Sequence, residues 1–178
     1  MSPAGVALAE EPERSILRDY LDRLAAERAD DRGTLSLQLG FFNGVDDIGR
    51  KDGGTFEGGL EYRFGGLGYG LSPIVGLSVT ADRSGYAYAG LRWELPVWQP
   101  AEKRGLYLDL SFAVSAYAKG HGRDLGGVLE FRSGAGLAYR FTEQLGLGFG
   151  GYHLSHTGIN GSANPGADSL LLNLTWTY

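Results

Sequence analysis

Apolar and polar residues alternate with a period of two along most of the chain after Gly33. Eight runs of roughly ten residues show this alternation, and turn-forming residues separate them. Their apolar positions fall within 35–41, 56–64, 75–79, 87–93, 106–114, 129–141, 145–149 and 170–178. Because successive side chains of a strand point to opposite faces, each run predicts one apolar and one polar face. The pattern therefore predicts an all-β fold, an eight-stranded antiparallel up-and-down β-barrel.

Two features of the faces favour a transmembrane barrel, with the apolar face directed outward. The apolar face carries no Lys or Arg in any run, and one such residue at mid-bilayer would cost about 2–4 kcal/mol. The polar face mixes charges of both signs with glycines, as expected for the tightly filled lumen of a small barrel. The charged residues of this face are therefore expected to form salt bridges in the lumen: Glu57, Glu61, Arg63, Arg92, Glu94, Glu130, Arg132 and Arg140.

Aromatic residues end every even-numbered run on its apolar face. They are Tyr62, Phe64, Trp93, Tyr139, Phe141, Trp176 and Tyr178. Even strands of an up-and-down barrel end at the same rim, so these residues predict one interfacial girdle at the periplasmic side. Turns at 65–70, 97–104 and 142–144 then face the periplasm. Loops at 43–54, 82–85, 118–127 and 156–167 face the outside of the cell.

The first 32 residues differ from the rest and predict an N-terminal extension before a barrel at 33–178. Residues 10–32 are charged and nearly free of glycine, with apolar residues at helical spacing from Ile16 to Ala25. This spacing predicts a short amphipathic helix, either docked on the barrel or lying on a membrane or partner. Residues 1–9 end in Ala-Leu-Ala, which has the form of a signal-peptide cleavage site.

Composition removes several classes of function. The formal net charge of −5 argues against a nucleic-acid partner. The absence of cysteine removes disulfides and thiolate chemistry, and three histidines are few for a metal centre. We therefore expect neither a metal nor a cofactor.

The end of the last hairpin carries the candidate chemistry. His153 and Ser155 share the apolar, outward face of the seventh run, and Asp168 shares that of the eighth. Residues at i and i+2 lie about 6.6 Å apart along a strand, so an imidazole can reach a hydroxyl at this spacing. A base beside a hydroxyl, with a carboxylate to orient the base, is the arrangement that activates a serine. Polar residues that merely mark the edge of the bilayer are the alternative interpretation.

Three segments around these residues resemble the lipid A 3-O-deacylase (PagL) family of outer-membrane β-barrels. They are 153–158 (HLSHTG), 164–169 (NPGADS) and, less directly, 129–137 (LEFRSGAGL). The resemblance is good over 129–178, loose over 33–128 and absent before that. It implies that Ser155 is the nucleophile, that His153 is its general base and that Asp168 orients His153.

Two residues depart from the family pattern. Asp168 stands where the family commonly has Glu, and His156 stands where it commonly has an Asn implicated in the oxyanion hole. His156 could donate that hydrogen bond, or be an exposed loop residue. The backbone N–H groups of Thr157 and Gly158 could also stabilise the oxyanion.

The resemblance implies a serine esterase of the bacterial outer membrane, with lipid A of lipopolysaccharide and membrane lipid as its partners. Leu147, Phe149 and Leu170 are expected to form a groove for the acyl chain below Ser155. Three alternatives stay open: a non-catalytic structural or adhesin-type barrel, a lipid A acyltransferase and a soluble lipid-binding barrel. The sequence is compatible with a homodimer of barrels without selecting one.

Overall fold

The computed structural model describes residues 16, 18–22, 24, 31–43, 54–156, 158–159 and 165–178. This part of the chain contains eight strands: β1 Thr34–Phe42, β2 Thr55–Arg63, β3 Leu71–Thr80, β4 Gly85–Ala101, β5 Arg104–Ala118, β6 Leu129–Arg140, β7 Leu145–Ser155 and β8 Ala167–Thr177. Each strand pairs antiparallel with its neighbour in sequence, and β1 pairs with β8. The sheet is thus a closed barrel, as the alternating pattern predicted.

The predicted outward direction of the apolar face is also correct. In β1 the outward residues Leu37 and Leu39 are 43% and 55% exposed, whereas the inward Gln38 is fully buried. The other strands repeat this arrangement, with large apolar side chains exposed and polar ones buried. A belt of exposed leucine, valine and phenylalanine around a polar interior is the arrangement of an outer-membrane barrel rather than a water-soluble one.

The predicted aromatic residues lie together at one rim of the barrel. The rings of Tyr62 and Phe64 are 4.8 Å apart, and Tyr62 also contacts Tyr178 across β1, with 6.4 Å between ring centroids. Trp176 and Tyr178 are both more than half exposed. The girdle is therefore present at the end where the even strands finish, and it defines the level of one membrane interface.

The turn predicted at 97–104 is present, but its predicted length is wrong. β4 continues to Ala101 and β5 begins at Arg104, so only two residues connect the strands. The pairing of the two strands shifts register between Pro96 and Trp98 and again before Ala101. A bulge of this kind accommodates a proline in a strand, because proline has no N–H to contribute to the ladder.

The predicted N-terminal helix lies partly outside the described residues. Residues 16, 18–22 and 24 are helical, and Leu24 is buried. Ile16 and Leu21, from the same predicted apolar face, are 69% and 45% exposed. The predicted signal remnant at 1–9 lies outside the described residues. Within the described residues, no helix has the length and apolarity needed to cross a membrane.

Salt bridges fill the middle of the lumen and its end near the aromatic girdle, as predicted for Glu61, Arg63, Arg92, Glu94 and Arg140. Glu57 instead accepts hydrogen bonds from Ser78 and Tyr86. Arg92 binds Glu61 at 2.7 Å and also binds Asp109. Glu94 pairs with both Arg63 and Arg140. These charges lie on the inward faces of β2, β4, β5 and β6, so the network links the two halves of the barrel across its interior.

Arg132 departs from this expectation, because its guanidinium lies between two aromatic rings. It is 4.4 Å from the ring centroid of Tyr88 and 3.8 Å from that of Tyr152. Inward glycines make room for these rings: a Cβ on Gly76 would collide with Tyr88, and one on Gly134 with Tyr152. Cation–π contact therefore stabilises this buried charge where a salt bridge was predicted.

We expect Arg92→Met to destabilise the barrel by about 3–5 kcal/mol, because it leaves Glu61 and Asp109 buried without their cation. Urea unfolding in lipid vesicles, followed by tryptophan fluorescence, measures the change. Lys119→Met is the matched control, since it removes a cation whose partner Asp124 is exposed, and its unfolding should be unchanged. Equal unfolding curves for the two variants would contradict the assigned role of Arg92.

Candidate functional site

The pairing of the last two strands brings His153 and Asp168 together on the outer wall. The two residues lie directly opposite each other in the β7–β8 register. Nδ1 of the His153 ring is 2.8 Å from Oδ1 of Asp168, and both side chains are partly exposed. Their neighbours Leu154 and Ser169 are buried in the lumen. The carboxylate therefore engages Nδ1 and leaves Nε2 as the ring nitrogen available to another group.

Ser155 is the last residue of β7 and lies two positions beyond His153 on the same outward face. It is opposite Phe131 of β6 and is half-buried. The structure thus places the three predicted catalytic residues on one side of the wall, at the end of the barrel opposite the aromatic girdle.

Asn43 contacts the backbone of Asp168, and Arg123 from another loop holds Asn43 and Pro165 in place. The N–H of Asn43, just after β1, donates a hydrogen bond to the carbonyl oxygen of Asp168 at 2.5 Å. The side-chain oxygen of Asn43 accepts a hydrogen bond from Arg123 at 2.8 Å, and Arg123 also donates to the carbonyl of Pro165 at 3.4 Å. The carboxylate that faces His153 is therefore held where three loops meet at this rim of the barrel.

Gly166 packs against the edge of the His153 ring. A Cβ at this position would lie 2.8 Å from Cε1 and 3.2 Å from Nε2 of His153. Its φ of 60° is in the left-handed region, which disfavours side chains. Glycine is therefore required here on two grounds, and the backbone at this point limits how far the imidazole can turn away from Asp168.

The predicted oxyanion residues are placed differently from one another. His156 is fully buried, so it is not an exposed loop residue. Its Nδ1 accepts a hydrogen bond of 3.0 Å from the backbone N–H of Gly158. Thr157 lies outside the described residues. In this conformation His156 therefore orders the backbone immediately after Ser155.

The predicted groove residues all point outward, and two further residues complete the surface. Leu147, Phe149 and Leu170 are 42%, 54% and 37% exposed. Of these three, Leu170 lines the groove beside His153 and Asp168, together with Ala135 and Gly151, whereas Leu147 and Phe149 do not. The sequence carried a signal for Ala135 and Gly151, because they are the small residues in outward rows otherwise occupied by leucine and aromatic side chains.

Ser133 is an exposed serine that the sequence analysis did not single out. It lies on the outward face of β6, directly opposite His153. It also lines the groove beside the His153–Asp168 pair. Its position makes it the natural comparison for Ser155, since both hydroxyl groups share one wall with the imidazole.

The fold and site define a class of protein: an eight-stranded barrel of the outer-membrane type with a histidine–carboxylate pair on its outer wall. The model of the lipid A 3-O-deacylase (PagL) family matches residues 57–177, which is more than half of the chain. The protein therefore belongs to the lipid A 3-O-deacylase (PagL) family. No curated protein sequence matches it significantly.

Solved structures agree with the fold. The outer membrane enzyme PagL superposes with a TM-score of 0.59 and 16% identity, covering 80% of this chain and 98% of that one. The N-terminal β-barrel domain of Pseudomonas aeruginosa OprF gives a TM-score of 0.60 and 11% identity, covering 84% and 98%. A de novo designed transmembrane β-barrel gives 0.58 and 12%, covering 84% and 97%. At these identities the superpositions show the fold alone.

Proposed function

We propose that the protein is an outer-membrane esterase that removes the 3-O-linked hydroxyacyl chain from lipid A of lipopolysaccharide. The observation that carries the proposal is the hydrogen bond between His153 and Asp168 on the outer wall. A charged or strongly polar pair on a surface otherwise covered by leucine and phenylalanine is costly in a membrane, which favours a functional role over a structural one. Membership of the family supplies the substrate class.

In the proposed reaction, Oγ of Ser155 attacks the ester carbonyl and Nε2 of His153 accepts the serine proton. The tetrahedral intermediate collapses, the bond to the sugar oxygen breaks, and His153 returns the proton to that oxygen. Water, deprotonated by His153, then attacks the acyl-enzyme. The bond to Oγ of Ser155 breaks, His153 returns the proton to Oγ, and the fatty acid is released. Asp168 holds the tautomer with the proton on Nδ1 and stabilises the imidazolium that forms in each half-reaction.

We assign stabilisation of the oxyanion to the segment that follows Ser155, with His156, Thr157 and Gly158 as its candidates. Backbone N–H groups are the usual donors in such a site. The N–H of Gly158 donates to His156 in this structure, so it would serve the oxyanion only after exchanging partners. Because His156 is buried, its proposed contribution is to shape this backbone.

The location of the site fits a substrate that stays in the membrane. The outer leaflet presents the lipid A ester at the height of the headgroups, and the site lies at the barrel end opposite the aromatic girdle. A barrel whose reactive groups face the lipid can reach such an ester without extracting the molecule. Lipopolysaccharide and membrane lipid are therefore the proposed partners.

Mass spectrometry of lipid A from cells that produce the protein tests the proposal. We expect the loss of one 3-hydroxyacyl chain relative to cells with the empty vector, and recovery of that chain as the free acid. A chain recovered on an acceptor lipid would identify an acyltransferase instead. Unchanged lipid A, with the folded barrel present in the outer membrane, would favour a non-catalytic barrel.

A further inference from the structure

Glu130 is a buried carboxylate that the salt-bridge network of the lumen does not include. It lies on the inward face of β6 and is fully buried. Within the described residues, neither of its carboxylate oxygens has a hydrogen-bond partner. The next inward cation on the strand, Arg132, contacts aromatic rings, so the salt bridge predicted for Glu130 is not formed there. Because a buried carboxylate without a donor is costly, its presence at this position needs a reason outside the network.

The strand register places Glu130 beside His156, behind the proposed nucleophile. The last pair of the β6–β7 ladder is Phe131 with Ser155, so the next residues along the two antiparallel strands are Glu130 and His156. Both side chains are fully buried. The carboxylate also lies within electrostatic range of the imidazole. Glu130 and His156 are therefore neighbours inside the wall, whereas Ser155 is on its outer side.

His156 links this carboxylate to the backbone that follows Ser155. Its Nδ1 accepts a hydrogen bond of 3.0 Å from the N–H of Gly158, and its carbonyl oxygen accepts one of 3.0 Å from the N–H of Ile159. The ring and the main chain of His156 thus close one turn directly after β7. Because Nδ1 is an acceptor here, the ring proton is on Nε2, and this edge of the ring is the one that a carboxylate attracts.

We propose that Glu130 is a positioning residue of the esterase, which holds the imidazole of His156 and, through it, the turn that follows Ser155. The inference rests on the proposed function and adds a residue to the assigned oxyanion segment. A negative charge beside the ring favours the orientation in which Nε2–H points toward the charge and Nδ1 stays on the N–H of Gly158. A ring that turned freely would release Gly158 and move the backbone bonded to Ser155. Glu130 itself touches no reacting atom, because it lies inside the barrel.

Replacement of Glu130 should therefore affect the rate of the reaction rather than the binding of lipid. We expect Glu130→Met to lower kcat for release of fatty acid from lipopolysaccharide in detergent micelles by about tenfold or more, because displaced donors stabilise the oxyanion less. KM should stay within about twofold of the wild-type value, since the outer wall that meets the lipid is unchanged. Glu130→Gln keeps an acceptor at the same place and should recover most of kcat.

A double variant tests whether Glu130 acts through His156. In a protein that already carries His156→Leu, Glu130→Met should cause no further loss of kcat, because the ring on which the carboxylate acts is gone. Amide hydrogen exchange, followed by NMR in micelles, gives a measure that does not depend on activity. Glu130→Met should speed the exchange of the Gly158 N–H by about tenfold, since its hydrogen bond to Nδ1 would open more often.

Glu57→Met is the matched control. Glu57 is also a buried inward carboxylate, but it lies on β2 and accepts hydrogen bonds from Ser78 and Tyr86. The same substitution there should leave kcat and the exchange of the Gly158 N–H at wild-type levels. Circular dichroism in detergent confirms that each variant is folded. Urea unfolding should show no loss of stability for Glu130→Met, because the carboxylate that it removes has no donor.

Three results would overturn the proposal. Equal kcat values for Glu130→Met and Glu57→Met would remove the positioning role and leave the esterase function standing. A further loss of kcat when Glu130→Met is added to His156→Leu would show that the carboxylate acts by another route. A folded wild-type protein that releases no fatty acid would remove the proposed function, and the positioning role with it.

Discussion

Ser155→Ala and His153→Ala should each lower the deacylation rate by about 10⁴-fold or more. The double variant should be no slower than either single variant. The reason is that nucleophile and base act as one unit: a hydroxyl without a base is not ionised, and a base without a hydroxyl has no proton to accept. Single-turnover release of fatty acid from lipopolysaccharide in micelles measures all three rates.

Ser133→Ala is the control for this experiment. Ser133 shares the outward face with His153 and lies directly opposite it on β6, so a general loss of polarity on this wall would affect both serine variants. We expect Ser133→Ala to retain most of the wild-type rate. If Ser133→Ala were inactive and Ser155→Ala active, the nucleophile would have to be reassigned.

The face of the strand on which each site residue lies could be predicted from the sequence, because this needs only local information. His153, Ser155 and Asp168 are an even number of positions from the outward leucine residues of their own strands, so they lie on the same face. One face of each strand must meet the lipid. Once the apolar face is known to be outward, the direction of these side chains follows without any knowledge of the loops. In the structure His153 is exposed and Ser155 and Asp168 are partly exposed, whereas their neighbours Leu154 and Ser169 are buried.

The approach of His153 to Asp168 could not be predicted in the same way. The alternation within a strand gives the face on which each residue lies, but not its position along the barrel axis relative to the next strand. That position depends on the register of β7 against β8. That register is set together with the connection between the strands and by contacts such as that of Asn43 with the Asp168 backbone. The close approach of Gly166 to the imidazole also depends on loop geometry, which leaves no periodic pattern in the sequence.

The lumen and the β4–β5 turn are two places where the prediction from the sequence differs from the structure. Charges on a polar face predict salt bridges, but whether Arg132 meets a carboxylate or an aromatic ring depends on which side chains fill the narrow interior beside it. Similarly, the alternating run ended at Trp93 and a turn was expected at 97–104, whereas a bulge after Pro96 lets the strand continue to Ala101. Both outcomes depend on contacts between distant strands.

Replacement of Asp168 by asparagine should lower the deacylation rate by about 10²–10⁴-fold while the barrel remains folded. The carboxylate accepts a hydrogen bond of 2.8 Å from the protonated Nδ1 of His153, which leaves Nε2 unprotonated and able to accept the serine proton. An asparagine amide can instead donate to Nδ1. The proton of the imidazole would then lie on Nε2, and the ring could no longer act as a base toward Ser155.

Asp168→Glu separates the effect of losing the carboxylate from the effect of changing the length of the side chain. Glutamate is common at this position in the family, and it keeps the charge and the acceptor while moving the carboxylate by one methylene. Because Asn43 holds the backbone of Asp168, the longer side chain must bend to reach Nδ1, so we expect partial activity, well above that of Asp168→Asn. Equal rates for Asp168→Asn and the wild type would show that the His153–Asp168 hydrogen bond orders the rim of the barrel and has no part in catalysis.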